Sequence, residues 1–247
     1  MDPTVSTFKI SGLCSAPFTC FSSSGGVDME SIDFHAAELS RTGVKIAFVN
    51  GTTGEGYSLS LAERKSVLET WIVAGKKHGM TIIAMVTAEN IIDTADLAAH
   101  AAAAGASSIA YQPSTFFKPE GVAGIIEILT LVGAAAPTLP LYYYHIVVKT
   151  GVMIRCDHLL DAVAEAQAQG KLSSFRGIKY SNPDLFIMSN CIAAHGGKYD
   201  IAYGCDEQLV GALALGVEGA VGSTYNYTGK VANAIIDATK KGECLIH

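Results

Sequence analysis

The chain has no excess of basic charge: 17 Lys and Arg stand against 23 Asp and Glu, a formal net charge of -6. Without a basic patch it lacks the electrostatic footprint that nucleic acid or an anionic membrane requires. It also lacks any Cys-x-x-Cys pair. Its six cysteines (Cys14, Cys20, Cys156, Cys191, Cys205, Cys244) are scattered, which in a chain this long predicts buried, reduced thiols of a cytoplasmic protein rather than a disulfide framework. No secretory leader is expected either, since Met1-Asp2-Pro3-Thr4 opens neither a basic nor an apolar region. The most apolar stretch, Ile128 to Tyr144, contains Pro137 and Pro140 and is too short and too broken to span a bilayer. It reads as a helix end, a turn and a strand. Low-complexity tracts, charged tails and linkers are absent as well.

What is present points to one large core. Hydrophobic residues make up 49% of the 247 positions, which rules out wholesale disorder and suits a single domain over residues 1–247. Short apolar runs alternate with longer helical patterns. The runs are Ile10 to Ala16, Ile46 to Asn50, Thr81 to Thr87, Ser108 to Gln112, Leu139 to His145, Phe175 to Lys179, Asp200 to Tyr203 and Gly219 to Ser223. Helical patterns include Leu61 to Lys77, opened by Ser60 and Glu63 as a capping box, and Asp93 to Ala104, closed by Gly105. Eight strands in strict alternation predict an α/β fold of the (β/α)8 TIM-barrel type, with an open doubly wound sheet as the alternative. In a barrel the chemistry belongs at the C-terminal ends of the strands.

Four segments place polar residues there. Lys179 ends an apolar strand; facing a cavity, it would be held as a neutral, nucleophilic amine by desolvation. At a rim it would merely cap the strand. In Leu141-Tyr142-Tyr143-Tyr144-His145 the pleat puts Tyr142 and Tyr144 on one face. A tyrosine at the barrel top can relay a proton, whereas Tyr142 and Tyr143 are expected to pack between barrel and helices with their hydroxyls satisfied at the edge. The run Asn50-Gly51-Thr52-Thr53-Gly54-Glu55-Gly56 offers hydroxyls and amides to a carboxylate-sized anion. Tyr57 follows Gly56, so it is no Walker loop, and it has no G-x-G-x-x-G turn. Gly204-Cys205-Asp206-Glu207 brings two carboxylates after a strand, for hydroxyls, a metal or a helix start. Metal binding lacks support, because no ligand spacing accompanies them. His35, His78, His100, His158, His195 and His247 form no constellation and are assigned to surface or helix positions.

Taken with their order, these segments resemble the N-acetylneuraminate lyases, a branch of the dihydrodipicolinate synthase superfamily. The strings that carry the likeness are Phe48 to Gly56, Tyr142 to Ile146, Gly177 to Ser181, Asp206 to Leu209 and Gly219 to Asn226, spread over nearly the whole chain. The resemblance implies a lyase in which Lys179 forms a Schiff base with the C2 carbonyl and Tyr144 moves the proton. Thr52 and Thr53 would hold the substrate carboxylate, with Ser181 beside the Schiff base. Gly204, Asp206, Glu207 and Ser223 would bind the hydroxylated tail of a sialic acid. It further implies no metal or organic cofactor, pyruvate as a product, and a homotetramer in which Phe116 or Phe117 reaches a neighbouring site.

This chain departs from the family in two places. Val147 stands where the family has proline after the Tyr-x-Ile string. The helical region that follows the eighth βα unit in the family is largely missing before His247, with the last helix expected to begin near Lys230. Another pyruvate-dependent aldolase of the superfamily, or a catalytically weak pyruvate-binding protein, are the competing readings.

Overall fold

Each apolar run becomes a strand, and each strand divides its side chains between two environments. In the computed structural model, which describes residues 5–243, the strands are β1 (Gly12–Ser15), β2 (Ile46–Val49), β3 (Thr81–Met85), β4 (Ser108–Tyr111), β5 (Leu141–His145), β6 (Phe175–Tyr180), β7 (Asp200–Tyr203) and β8 (Gly219–Gly222). All neighbours run parallel and β8 returns to pair with β1, so the sheet closes into a barrel. The (β/α)8 expectation holds, and the open sheet is excluded. Met1 to Thr4, Cys244 and His247 lie outside the described residues.

The helices are α1 (Ser31–Arg41), α2 (Leu61–His78), α3 (Ile91–Ala104), α4 (Gly121–Ala135), α5 (Val147–Thr150), α6 (Cys156–Ala168), α7 (Leu185–Ala193), α8 (Leu209–Ala214) and α9 (Tyr225–Lys240). Ser60 and Glu63 form the capping box of α2, an arrangement worth about 1 kcal/mol. Gly105 closes α3 in the left-handed conformation. The Ile128 to Tyr144 stretch splits as expected: α4 stops at Ala135 and β5 begins at Leu141. The last helix starts earlier than Lys230, at Tyr225. Its buried residues Tyr225, Gly229, Ala232 and Ile236 recur at helical spacing and carry that first turn onto the barrel. Among the described residues no helix is long and apolar enough to cross a membrane.

Strand alternation makes two cores. Outward residues such as Val49, Ala84, Tyr143 and Ile178 pack under the helices. Inward residues, among them Ile46, Phe48, Ile83, Met85, Tyr142, Tyr144 and Val221, fill the barrel. Tyr142 therefore corrects the expectation of packing beneath the helices. It lies inside the barrel, where its hydroxyl donates to Asp200 Oδ2 at 2.5 Å. Tyr143 does pack outside, but its buried hydroxyl has no hydrogen-bond partner among the described residues. The thiols also differ from the sequence expectation. All five described cysteines are unpaired, yet Cys20 is exposed and Cys205 half-buried. Both sit on connections that follow a strand of the barrel, after β1 and after β7.

Candidate active site

Three inward side chains meet at the C-terminal end of the barrel. Lys179 pairs in register with Tyr144 of β5 on one side and Ala202 of β7 on the other, so the small alanine leaves room beside the amine. Lys179 is only 3% exposed. Its Nζ lies 3.9 Å from the centroids of both the Phe48 and the Tyr144 rings, and these rings meet edge to face at 5.7 Å. The lysine is thus inside the barrel, not capping its rim, and no carboxylate pairs with it among the described residues. Beneath it Cys14 is fully buried; burial pushes this thiol up to about 12, with the nearby Lys179 charge acting in the opposite direction. It is an inert core thiol.

The loop after β2 reaches over this trio. Asn50 turns the chain with a φ of 60°, and its Nδ2 donates to the Arg64 carbonyl at 2.9 Å. Thr52 Oγ1 then comes to 3.4 Å from the Tyr144 hydroxyl. Thr53 Oγ1 lies 2.6 Å from Ser223 Oγ, on the loop after β8. Ser223 is held in turn by Asn226, whose Nδ2 donates to both the Ser223 and Ala16 carbonyls while its Oδ1 accepts from Ser15 Oγ and faces His35 Nε2.

The opposite wall comes from the loops after β6 and β7. Ser181 N donates to the His145 carbonyl and Gly204 N to that of Tyr180, both at 2.8 Å, which carries the two residues past the strand ends into the site. A Cβ on Gly204 would stand 1.9 Å from Ser181 Oγ, and one on Gly222 would stand 1.9 Å from Asp206 Oδ1; both positions need glycine for close approach. Asp206 is less free than the sequence suggested. Its Oδ2 already accepts from Thr224 N at 2.8 Å and Thr224 Oγ1 at 2.7 Å, so Oδ1 is the oxygen left for a ligand. Glu207 is exposed and makes no hydrogen bond among the described residues.

Together Thr53, Tyr144, Lys179, Ser181, Gly204, Asp206, Glu207 and Ser223 line one cavity of about 190 Å³. Every candidate residue from the sequence lies on its wall except Thr52, which touches it through Tyr144. Sequence reasoning missed Phe48, Val221, Thr224 and Asn226. The parity of β2 places Phe48 inside, so that signal was available; the ties of Thr224 and Asn226 depend on the β8 loop meeting others across the barrel. His145 is no part of the site. It is stacked on Tyr180 at 5.4 Å outside the barrel wall, and burial pulls its pKa down to about 4. The arrangement provides a buried amine, a phenol against it, hydroxyls sized for a carboxylate and acceptors for hydroxyl groups. It is equipped for imine chemistry on an α-oxo acid.

Comparison with known proteins gives a concordant result. The sequence profile of the dihydrodipicolinate synthetase family matches residues 9–245. The N-acetylneuraminate lyase of Rattus norvegicus is 43% identical over 232 residues, which is 93% of this chain and 71% of that protein. The N-acetylneuraminate lyase (sialic acid aldolase) structure from Aliivibrio salmonicida superposes with a TM-score of 0.90 at 39% identity, covering 96% of this chain and 77% of that one. A Ruminococcus gnavus sialic acid aldolase, described as a catalytic lysine mutant, superposes with a TM-score of 0.86 at 27% identity, over 97% of this chain and 76% of the other.

Proposed function

We propose, from the premise that this chain belongs to the dihydrodipicolinate synthetase family, that it is a Schiff-base (class I) aldolase cleaving N-acetylneuraminate to N-acetylmannosamine and pyruvate. The observation that carries this reading is the buried Lys179 amine at the end of β6, lodged against Phe48 and Tyr144 beside a polar cavity. Relatives named for the same activity at about this level of identity support it.

Lys179 Nζ adds through its lone pair to the C2 ketone, and Tyr144 gives its proton to the departing hydroxyl, so that water leaves and an iminium forms. The C3–C4 bonding pair then flows into the iminium while Tyr144, now a phenolate, takes the proton of the C4 hydroxyl. N-Acetylmannosamine departs as the aldehyde and an enamine of pyruvate remains. Protonation at C3 and hydrolysis of the imine return the free lysine and pyruvate. The iminium is the electron sink for the whole sequence.

In this assignment Thr52 and Thr53 hold the substrate carboxylate and Ser181 stands by the imine. Gly204, Asp206 Oδ1, Glu207 and Ser223 receive the polyol, since carboxylates accept from several hydroxyls. The same acidic pair disfavours a substrate with a second carboxylate. We further propose a cytoplasmic homotetramer: the five described thiols are unpaired, and Phe116 and Phe117 offer exposed apolar surface to another copy.

Borohydride reduction in the presence of pyruvate, followed by peptide mapping, is expected to place the adduct on Lys179. An adduct elsewhere, or none, overturns the mechanism. An aldehyde panel run in the condensation direction tests the substrate: a better acceptor than N-acetylmannosamine would move the chain to another aldolase of the superfamily.

A further inference from the structure

Arg64 lies in the first turn of α2, yet its side chain is buried at 3% exposure. Its Nη1 donates to the Thr87 carbonyl at 2.6 Å and its Nη2 to the Met85 carbonyl at 2.7 Å, both at the C-terminal end of β3. Its Nε is buried with no partner, and so are Asn50 Oδ1 and Gln112 Oε1. No carboxylate pairs with Arg64 among the described residues, and the titratable side chain near it is the Tyr57 phenol. Burial lowers its pKa to about 10, leaving the guanidinium charged at neutral pH. A dry cation balanced only by carbonyl dipoles is costly, and a cation in the first turn of a helix opposes the helix dipole as well. Stability alone does not explain this choice of residue.

The Arg64 carbonyl accepts from Asn50, the residue that opens the hydroxyl-bearing loop two positions before Thr52. The guanidinium itself is held at the end of β3, the strand that pairs with β2 through Val49 and Ala84, so the charge sits beside the strand that carries this loop and across the barrel from β7, which leads to Asp206 and Glu207. We propose that Arg64 is a specificity-determining residue whose buried charge makes the Asn50–Gly56 loop select an α-oxo carboxylate over an uncharged ketone. In a low-dielectric wall its field reaches the bound anion with little screening. This inference rests on the function proposed above.

The test compares the rate of borohydride-trapped adduct formation at Lys179 from pyruvate and from the neutral analogue pyruvamide. In Arg64→Gln the ratio of the two rates is expected to fall about tenfold, with the pyruvamide rate little changed, while Arg64→Lys keeps most of the preference. A role confined to holding the loop would lower both rates together, leaving the ratio unchanged in Arg64→Gln, and that result overturns the inference. If the glutamine variant does not fold, Arg64→Lys decides alone. Its ratio must then fall between about pH 7 and pH 10 as a buried lysine loses its proton, and a flat profile overturns the inference. The unsubstituted protein, which shares Tyr57 and the Glu89 that acts on Tyr57, is the control for other titrations. Failure of that protein to trap pyruvate at all would instead defeat the proposed function.

Discussion

The two ends of the barrel interior hold similar side chains and put them to opposite uses. Toward the N-terminal end, Tyr142 donates to Asp200 Oδ2, which also accepts from Ile10 N at 2.8 Å. Toward the C-terminal end, two residues further along β5, Tyr144 stands beside Lys179 of β6. Here the amine faces aromatic rings and a cavity instead of a reciprocal partner. A titratable pair closed on itself in the core is structure, because its heads are satisfied. One left facing open space is available to a ligand. Strand polarity decides which is which, since the loops that build the cavity follow the C-terminal ends.

The sharpest way to break this contrast is at Lys179. Lys179→Ala should lower pyruvate release from N-acetylneuraminate by on the order of 10⁴-fold or more, with the thermal midpoint little affected. Retained turnover would mean that the nucleophile lies elsewhere. Tyr144→Phe comes next, with a loss of about 10²- to 10⁴-fold in turnover. A full rate in that variant would remove the proton-transfer role.

At the other end the same kind of deletion should cost stability and spare activity. Tyr142→Phe leaves Asp200 with one donor fewer and is expected to cost about 1–3 kcal/mol in urea unfolding, with unchanged activity per folded molecule. Burial raises the Asp200 pKa above its ordinary 3.8. A raised folded value means that its contribution is fully present below 3.8 and is lost as pH climbs through the folded value. Relative to Asp200→Asn, the unsubstituted chain should therefore lose stability from acid toward neutral pH; the opposite slope would show that the carboxylate is held ionised. The smallest effect is at the thiols: iodoacetamide near neutral pH should label the exposed Cys20 and leave Cys14 intact, since burial holds that thiol at about 12. Labelling of Cys14 in folded protein would show the barrel interior to be open.

The frame of the site was legible because strand ends and strand faces depend on local periodicity. The eight runs, the shared face of Tyr142 and Tyr144 and the position of Lys179 at the end of its run were readable in this way, whereas the roles of Lys179 and Tyr144 came from the family resemblance. Tyr142 misled for a physical reason: parity places it on the same face as Tyr144, but a buried phenol needs a partner, and that partner, Asp200, is 58 residues away in sequence. Asp206 misled similarly, since its tie to Thr224 crosses from the β7 loop to the β8 loop.

The sequence by itself determined the alternation of strands and helices and the face on which each strand residue falls, because the pleat repeats every two residues whatever surrounds it. Only the closed barrel decided which of those faces meet. Thr53 and Ser223 are 170 residues apart yet 2.6 Å from each other, a pairing created by closure of β8 onto β1. Register and closure are properties of all the strands together, so no single segment could disclose them.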